Sequence, residues 1–346
     1  MYVIEPVKHS DIDDLMELAI AMAPGITTFP PNKEALQTKI INSVDSFTRT
    51  TDDHATPRNF LLVLRDLEAD KVIGTAGVFS HIGHDAPFYS YKRVIETSTS
   101  HIETDDAVET VSSENASLHL THDMNGGTEV GTLLLLPEYA GKGLGKYLAK
   151  CRYLLIKTFM SLFREPIFAE LRGWTEEGDV SPFWNAIGRK FMDNMEFAKA
   201  DYLSAVTDKQ FIADLFPKHP IYEALLPAEA RNCINKANIK GQAALNMLYK
   251  EGFQDEGYVD IFDAGATVTA KFDQLETIKY SINTKAIEGD VIANNRHVLV
   301  SNQNLKAFRV IITDNYILSN SSITLNPSIL NLLALDTDCS VSVFKL

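Results

Sequence analysis

The stretch TEVGTLLLLPEYAGKGLGKYLAKCRYLLIKTF, Thr128 to Phe159, constrains the fold more than any other part of the 346-residue chain. Gly131 to Leu136, GTLLLL, is long enough for a fully buried strand. Pro137 ends its ladder because proline has no N–H to donate. Gly141, Gly143 and Gly145 follow, and a long amphipathic helix begins. Glycines accept positive φ and close approach, so successive amides can point into one concavity at a helix N-terminus, where phosphate binds. Lys142, Lys146 and Lys150 recur every four residues and are expected to share one face, adding positive charge beside those amides. The competing reading is a plain glycine turn with a solvated lysine face. GKGLGK lacks the spacing of a dinucleotide loop, and no Lys-Ser/Thr pair follows as a Walker loop requires.

An anion site is unusual in a chain whose formal charge is -14. That balance argues against a nucleic-acid or membrane-surface binder, since phosphate surfaces select a basic face. An anionic ligand must therefore be held by local geometry. Cys151, Cys233 and Cys339 are odd in number and widely spaced, which suits reduced thiols in a cytoplasm. No apolar segment approaches the roughly 18 residues of a membrane span, and no His or Cys spacing points to a metal. A cytoplasmic, metal-free protein is expected.

Along the chain, MYVIEPV reads as a strand and Asp11 to Met22 as a helix. Asn32 is placed to cap a second helix over Lys33 to Ser43. FLLVLRD and KVIGTAGVFSHI form an antiparallel hairpin, which PFYSYKRV extends. Glu96 to Gly127, rich in Ser, Thr, Asp and Glu, reads as an insertion with at most short strands around Leu118 and Leu120. IFAELRG is a strand and SPFWNAIGRKF a helix opened by Ser-Pro, while FAKADYLSA suits strand or helix. From Asp208, helices are expected over FIADLF, AEARNCINKAN and AALNMLYKEGF, then a strand at YVDIFD. WNAIGRKF and LYKEGF share an aromatic, glycine, phenylalanine pattern that suggests partial duplication. The tail, Ala266 to Leu346, reads as β-rich and peripheral.

Glu170, at the end of a strand beside the glycine-loop strand, is the candidate base; its alternatives are an ion pair with Arg172 or recognition of a cation. Glu129 is a second candidate carboxylate. His219, between Lys218 and Pro220, can titrate near neutrality or merely tie down a turn. His81 and His84 are expected at the surface. Arg172, Asp260 and Asp263 are candidates for binding charged substrate groups. Trp174 and Trp184 are expected to pack.

Ala140-Gly-Lys-Gly-Leu-Gly145 resembles the Arg/Gln-x-x-Gly-x-Gly/Ala signature of the GNAT superfamily of acyl-CoA N-acyltransferases, with Ala140 departing at its first position. More of the chain is similar to the arginine N-succinyltransferase family: TTFPPN, PFYSYK, TEVGTLLL with PEY, FAELRG, SPFW, PKHPIY, KEGF and YVDIFD occur in that order. The resemblance implies an α+β (α/β) GNAT-like fold, with an acyl-CoA-binding domain over 1–206 and a second, partly duplicated domain with the β-rich tail over 207–346. It implies succinyl-CoA as co-substrate, no permanently bound cofactor and arginine as the amine acceptor, and it leaves a monomer and a homo- or hetero-oligomer equally open. It carries Leu133 over as a contact to succinyl-CoA, and with the glycine loop and lysine spacing read above the candidate acyl-CoA-binding residues are Leu133, Gly141, Lys142, Gly143, Leu144, Gly145 and Lys146. It also implies a proton-donating histidine where a count without gaps finds Asn238, a residue that cannot titrate. Succinyl differs from acetyl by one carboxylate, which a single basic side chain can read.

Overall fold

The computed structural model describes residues 1–23, 28–50, 54–103, 108–206 and 214–346. Strand β1 (Tyr2–Pro6) leads through a single 3-10 turn into helix α1 (Ile12–Met22), which buries Leu15, Leu18 and Ala19. Helix α2 (Lys33–Thr48) starts where expected and runs further: the Asn32 side chain accepts from the Ala35 N–H at 3.0 Å, satisfying one of the orphan donors of the first turn. The hairpin β2 (Asn59–Asp66) and β3 (Lys71–Phe79) is buried along nearly its whole length, as its apolar runs require.

The polar segment after β3 departs from expectation. Ser90–Glu103 (β4) and Val108–Thr121 (β5) pair residue for residue as one long ribbon rather than an insertion with short strands. Its outer half is solvated on both faces. The in-out alternation that betrays a half-buried strand is thus absent, and cross-strand contacts there include the Thr99 and Ser112 hydroxyls at 3.1 Å.

The glycine-loop strand is β6 (Thr128–Leu135), followed by α3 (Leu144–Thr158) and β7 (Ile167–Glu170). β6 is not fully buried: buried and half-buried residues alternate along it, because its other face meets a cavity. Ser181 caps α4 (Pro182–Ala186) by accepting from the Trp184 N–H at 3.0 Å, and α5 (Gly188–Phe191) follows. FAKADYLSA lies in a helix, α6 (Phe197–Val206). The first half of FIADLF and the expected boundary after residue 206 adjoin 207–213, outside the described residues. AEARNCINKAN yields only the short helix Ala228–Arg231, whereas AALNMLYKEGF gives the helix Gln242–Glu251. YVDIFD is strand only to Val259, because the Asp260 carboxylate accepts the N–H groups of Phe262 and Asp263 at 2.6 and 2.8 Å and turns the chain.

The remaining strands are β8 (Ile221–Tyr222), β9 (Gln254–Val259), β10 (Ala266–Ala270), β11 (Ile282–Glu288), β12 (Ala293–Asn302), β13 (Val310–Asn315), β14 (Ile317–Leu318), β15 (Ser322–Leu325) and β16 (Cys339–Lys345). Sixteen strands join in the order β14-β15-β11-β16-β12-β13-β1-β2-β3-β6-β7-β10-β9-β4-β5-β8. Among the described residues, pairing is parallel at β6–β7 and β11–β15 and antiparallel elsewhere. The tail is β-rich as expected, but it is not peripheral: Val3 of β1 lies opposite Ile311 of β13, so one ladder carries through. β9 and β10, from beyond residue 206, likewise insert beside β4 and β7. Trp184 packs among Phe197, Phe216 and Phe262, with ring centroids 5.6 to 6.3 Å apart, and Trp174 lies against this cluster. No helix among the described residues is long and apolar enough to cross a membrane.

Candidate active site

β6 and β7 are hydrogen-bonded neighbours only at their start, with Thr128 opposite Ile167 and Glu129 opposite Phe168. Beyond that point β7 stays with β10 and β6 stays with β3, so a wedge opens and the edge of β6 loses its ladder partners. The opening coincides with an extra residue in β6: Gly77 faces Gly131 but Thr75 faces Leu134. At this bulge Thr132 takes φ 50°, an uncommon conformation for a β-branched residue. The buried Thr75 hydroxyl donates to the Thr132 carbonyl at 2.9 Å and pins the distorted backbone, while the Thr132 hydroxyl itself is buried without a partner among the described residues. Such strain, of order 1–3 kcal/mol, collects at sites that use it.

The wedge opens into a cavity of about 930 Å³. β6 from Glu129 to Leu134 forms one wall, Ala169 to Arg172 a second, α3 a third, and the helix Gln242–Glu251 closes it. Leu133, Lys146, Glu129 and Glu170 are therefore brought together. The Thr267 hydroxyl donates to Glu170 Oε1 at 3.4 Å.

Gly141, Lys142, Gly143, Leu144 and Gly145 form the turn that starts α3, outside the cavity lining. Gly141 and Gly143 both take φ 77°, which glycine alone adopts without strain, and the N-cap, Gly143, has no side chain to accept from the first turn. The Lys146 N–H donates to the Gly143 carbonyl at 3.1 Å, so among the described residues the amides of Leu144 and Gly145 are the ones left for solvent or a ligand. Leu144 is buried and anchors the turn in the core. The lysine face is only partly as expected. Lys146 is exposed on the cavity wall, and Lys142 Nζ stands 4.9 Å over the Tyr139 ring. Lys150 is buried, bonded to Glu251 at 2.7 Å and to the Thr277 hydroxyl at 3.1 Å, so its charge is spent joining α3 to the helix Gln242–Glu251. Helical spacing places such a lysine on a face but does not show what covers it.

The opposite pole of the cavity is acidic. The Arg172 guanidinium lies 2.6 Å from Asp201, 3.1 Å from Asp179 and 3.5 Å from Asp263, and over the Phe197 ring. It is therefore engaged within the protein rather than offered to a substrate carboxylate. Burial opposes its charge, but Asp201, Asp263 and Asp179 outweigh that and raise its pKa. Burial, then the neighbouring Asp260, holds the Asp263 carboxyl well above the usual range despite Arg172. Burial also raises Asp201. Asp179, Asp201, Asp260 and Asp263 all line the cavity here, with Arg172 paired to three of them, so this pole is rich in carboxyl groups. Asp179 and Asp201 escaped the sequence reading because only the tertiary fold brings their loop and helix to Arg172.

Asn238 also lies on the cavity wall. Its Oδ1 accepts from the Lys240 N–H at 3.1 Å and its Nδ2 donates to the Thr175 hydroxyl at 3.3 Å. His219 is not brought here: it is exposed beside a separate apolar cleft with Phe216 and Tyr222. His84 is exposed as expected, whereas His81 is half-buried, its Nε2 accepting from Arg164 at 3.2 Å. Among the described residues no group of His, Cys, Asp and Glu is arranged to hold a metal ion.

The family model for the arginine N-succinyltransferase beta subunit matches residues 2–277. The chain is 35% identical over 314 residues to an arginine N-succinyltransferase of Photorhabdus laumondii, covering 90% of this chain and 89% of that one. It is 36% identical over 281 residues to arginine N-succinyltransferase subunit beta of Pseudomonas aeruginosa, covering 81% and 80%. The solved structure of arginine/ornithine succinyltransferase subunit AI from Pseudomonas aeruginosa superposes with a TM-score of 0.84 at 24% identity, covering 100% of this chain and 98% of that one, which shows a shared fold. A bulged strand parting from its parallel neighbour, a glycine turn and a helix thus stand in a matching architecture, and the chain belongs to the arginine N-succinyltransferase family.

Proposed function

We propose that this chain transfers the succinyl group of succinyl-CoA to the α-amino group of arginine. The observation that carries the reading is the wedge between β6 and β7, where among the described residues the β6 edge beyond Glu129 has no strand partner and faces a cavity with a cationic wall and an acidic pole. The pyrophosphate of the donor sits on the first-turn amides of α3 with Lys146 beside it, and Leu133 flanks the thioester arm. The β6 edge beyond Glu129 supplies donors to the thioester oxygen as it gains charge; one such donor is typically worth about 3 kcal/mol. Glu170 takes the proton of the incoming ammonium, directly or through water, and Glu129 is the alternative. The amine then forms the C–N bond as the C–S bond breaks, and the CoA thiolate leaves with a proton. The aspartates around Arg172 draw the cationic end of the acceptor.

A second reading is favoured by Asn238. A side chain that cannot titrate stands on the cavity wall where a family histidine is expected, which suits a subunit that binds CoA without turnover; two relatives are named as subunits. Ornithine is the alternative acceptor, as the name of the solved relative includes it. Incubation with succinyl-CoA and either amine, followed as free thiol and by mass spectrometry of the succinylated product, tests the proposal. CoA-dependent thermal stabilisation without thiol release above background would favour the binding subunit.

A further inference from the structure

Arg152 lies two turns into α3, on the wall of the same cavity, and is 3% exposed. Its Nε donates to the Ala149 carbonyl at 3.0 Å, its Nη2 to the Tyr153 hydroxyl at 3.4 Å, and the guanidinium stands 5.4 Å from the Tyr153 ring. These partners are neutral, and among the described residues no carboxylate pairs with it. Other arginines of this protein are provided for differently. Arg65 meets Glu5 and Asp11, and Arg172 meets its aspartates. An arginine keeps its proton, and burial strips its hydration, so a guanidinium held only by neutral acceptors lacks a counter-charge. The cavity is where that charge can enter.

Placement narrows the anion. Arg152 lies eight residues beyond Leu144, about 12 Å along the helix axis from its start at 1.5 Å per residue, so it is remote from amides that would hold a phosphate there. It shares the cavity with Thr132 at the bulge, where the reacting end of an acyl donor lies in the transferase reading. A planar, forked guanidinium matches a carboxylate with two parallel hydrogen bonds. We propose that Arg152 binds a substrate carboxylate at the reacting end of the cavity and thereby sets specificity. The proposal rests on the transferase reading for the identity of the substrates, two of which carry such a group: the succinyl chain and the amino-acid acceptor.

The test compares wild type with Arg152→Met and Arg152→Lys by calorimetry, using two pairs of ligands. Succinyl-CoA is set against butyryl-CoA, which lacks the terminal carboxylate. Arginine is set against agmatine, which lacks the α-carboxylate, with CoA present. Arg152→Met is expected to collapse one of the two preferences by roughly 10- to 100-fold, the size of a hydrogen-bonded charge contact, and the pair that collapses identifies the source. Arg152→Lys keeps the charge without the fork and should lower the same ratio severalfold. Arg152→Met should melt no lower than wild type, since it removes a buried charge without a counter-ion. If both ratios stay within twofold of wild type in both variants, the proposal is overturned, and a lower melting temperature would then mark a purely structural residue. A wild type that turns over no amine refutes the transferase reading, while the binding ratios still decide the role of Arg152.

Discussion

The buried Lys150–Glu251 pair gives the most quantitative prediction. Glu251 holds both Lys150 Nζ at 2.7 Å and the Thr277 N–H at 2.7 Å, and the lysine also stands 4.4 Å over the Phe344 ring. Both side chains are at least nine-tenths buried. Removing one partner of such a pair leaves an uncompensated charge and costs about 3–5 kcal/mol. For 346 residues unfolding with about 2.1 cal/mol/K each, Lys150→Met should lower Tm by about 4–7 °C. Lys150→Met combined with Glu251→Gln removes both charges yet leaves an amide oxygen to accept from Thr277, so most of the loss should be recovered. Calorimetry on wild type, both single variants and the double variant gives the coupling energy. A double variant as unstable as Lys150→Met alone would refute the reasoning and move the loss to packing of the lysine stem against Phe344. The same proteins test the role of the lysine face: the double variant should bind CoA within about twofold of wild type, whereas Lys146→Met should weaken it severalfold, as expected when a charge-assisted contact is lost.

Gly143→Ala should cost about 1–2 kcal/mol in urea unfolding, because the left-handed cap strains any side chain, and it should weaken CoA binding with it. Asn238→His should raise turnover about 100-fold if a missing proton donor limits the rate, and add a limb near neutral pH to the kcat profile; an unchanged profile would show that another group supplies the proton. Asp263 binds its proton more tightly in the folded than in the unfolded chain, so its contribution to stability is present at low pH and is lost as pH rises through the folded value. The stability of Asp263→Asn relative to wild type should therefore increase from acid to neutral pH in urea melts, and a flat difference would show that Arg172 fully compensates the carboxylate.

Local signals were legible in the sequence where local physics decides the structure. Asn32 caps α2, Ser181 caps α4, and the glycine turn precedes α3, because each depends on backbone donors within a few residues. Arg172 and Asp263 were legible as charges near the site, but not their mutual pairing, and Asp179 and Asp201 were not seen at all. Lys150 was misread for the same reason, since Glu251 is a hundred residues away along the chain. Arg152 gave no signal: within an amphipathic helix pattern a single arginine looks solvated, and only burial against a cavity distinguishes it. The ribbon β4–β5 was missed because solvation on both faces erases the periodicity by which a strand is read.

The pairing of β1 with β13 has a consequence for synthesis. On a ribosome, the first strand emerges early yet waits for residue 310 before its outer edge is covered, and β7 waits for β10. Nascent chains of intermediate length thus carry open strand edges, the kind of surface that invites mispairing or a chaperone. Completion of the cavity beside β6 is tied to near-complete translation, so a chain released after its first 206 residues would lack the walls supplied by Asn238 to Leu346.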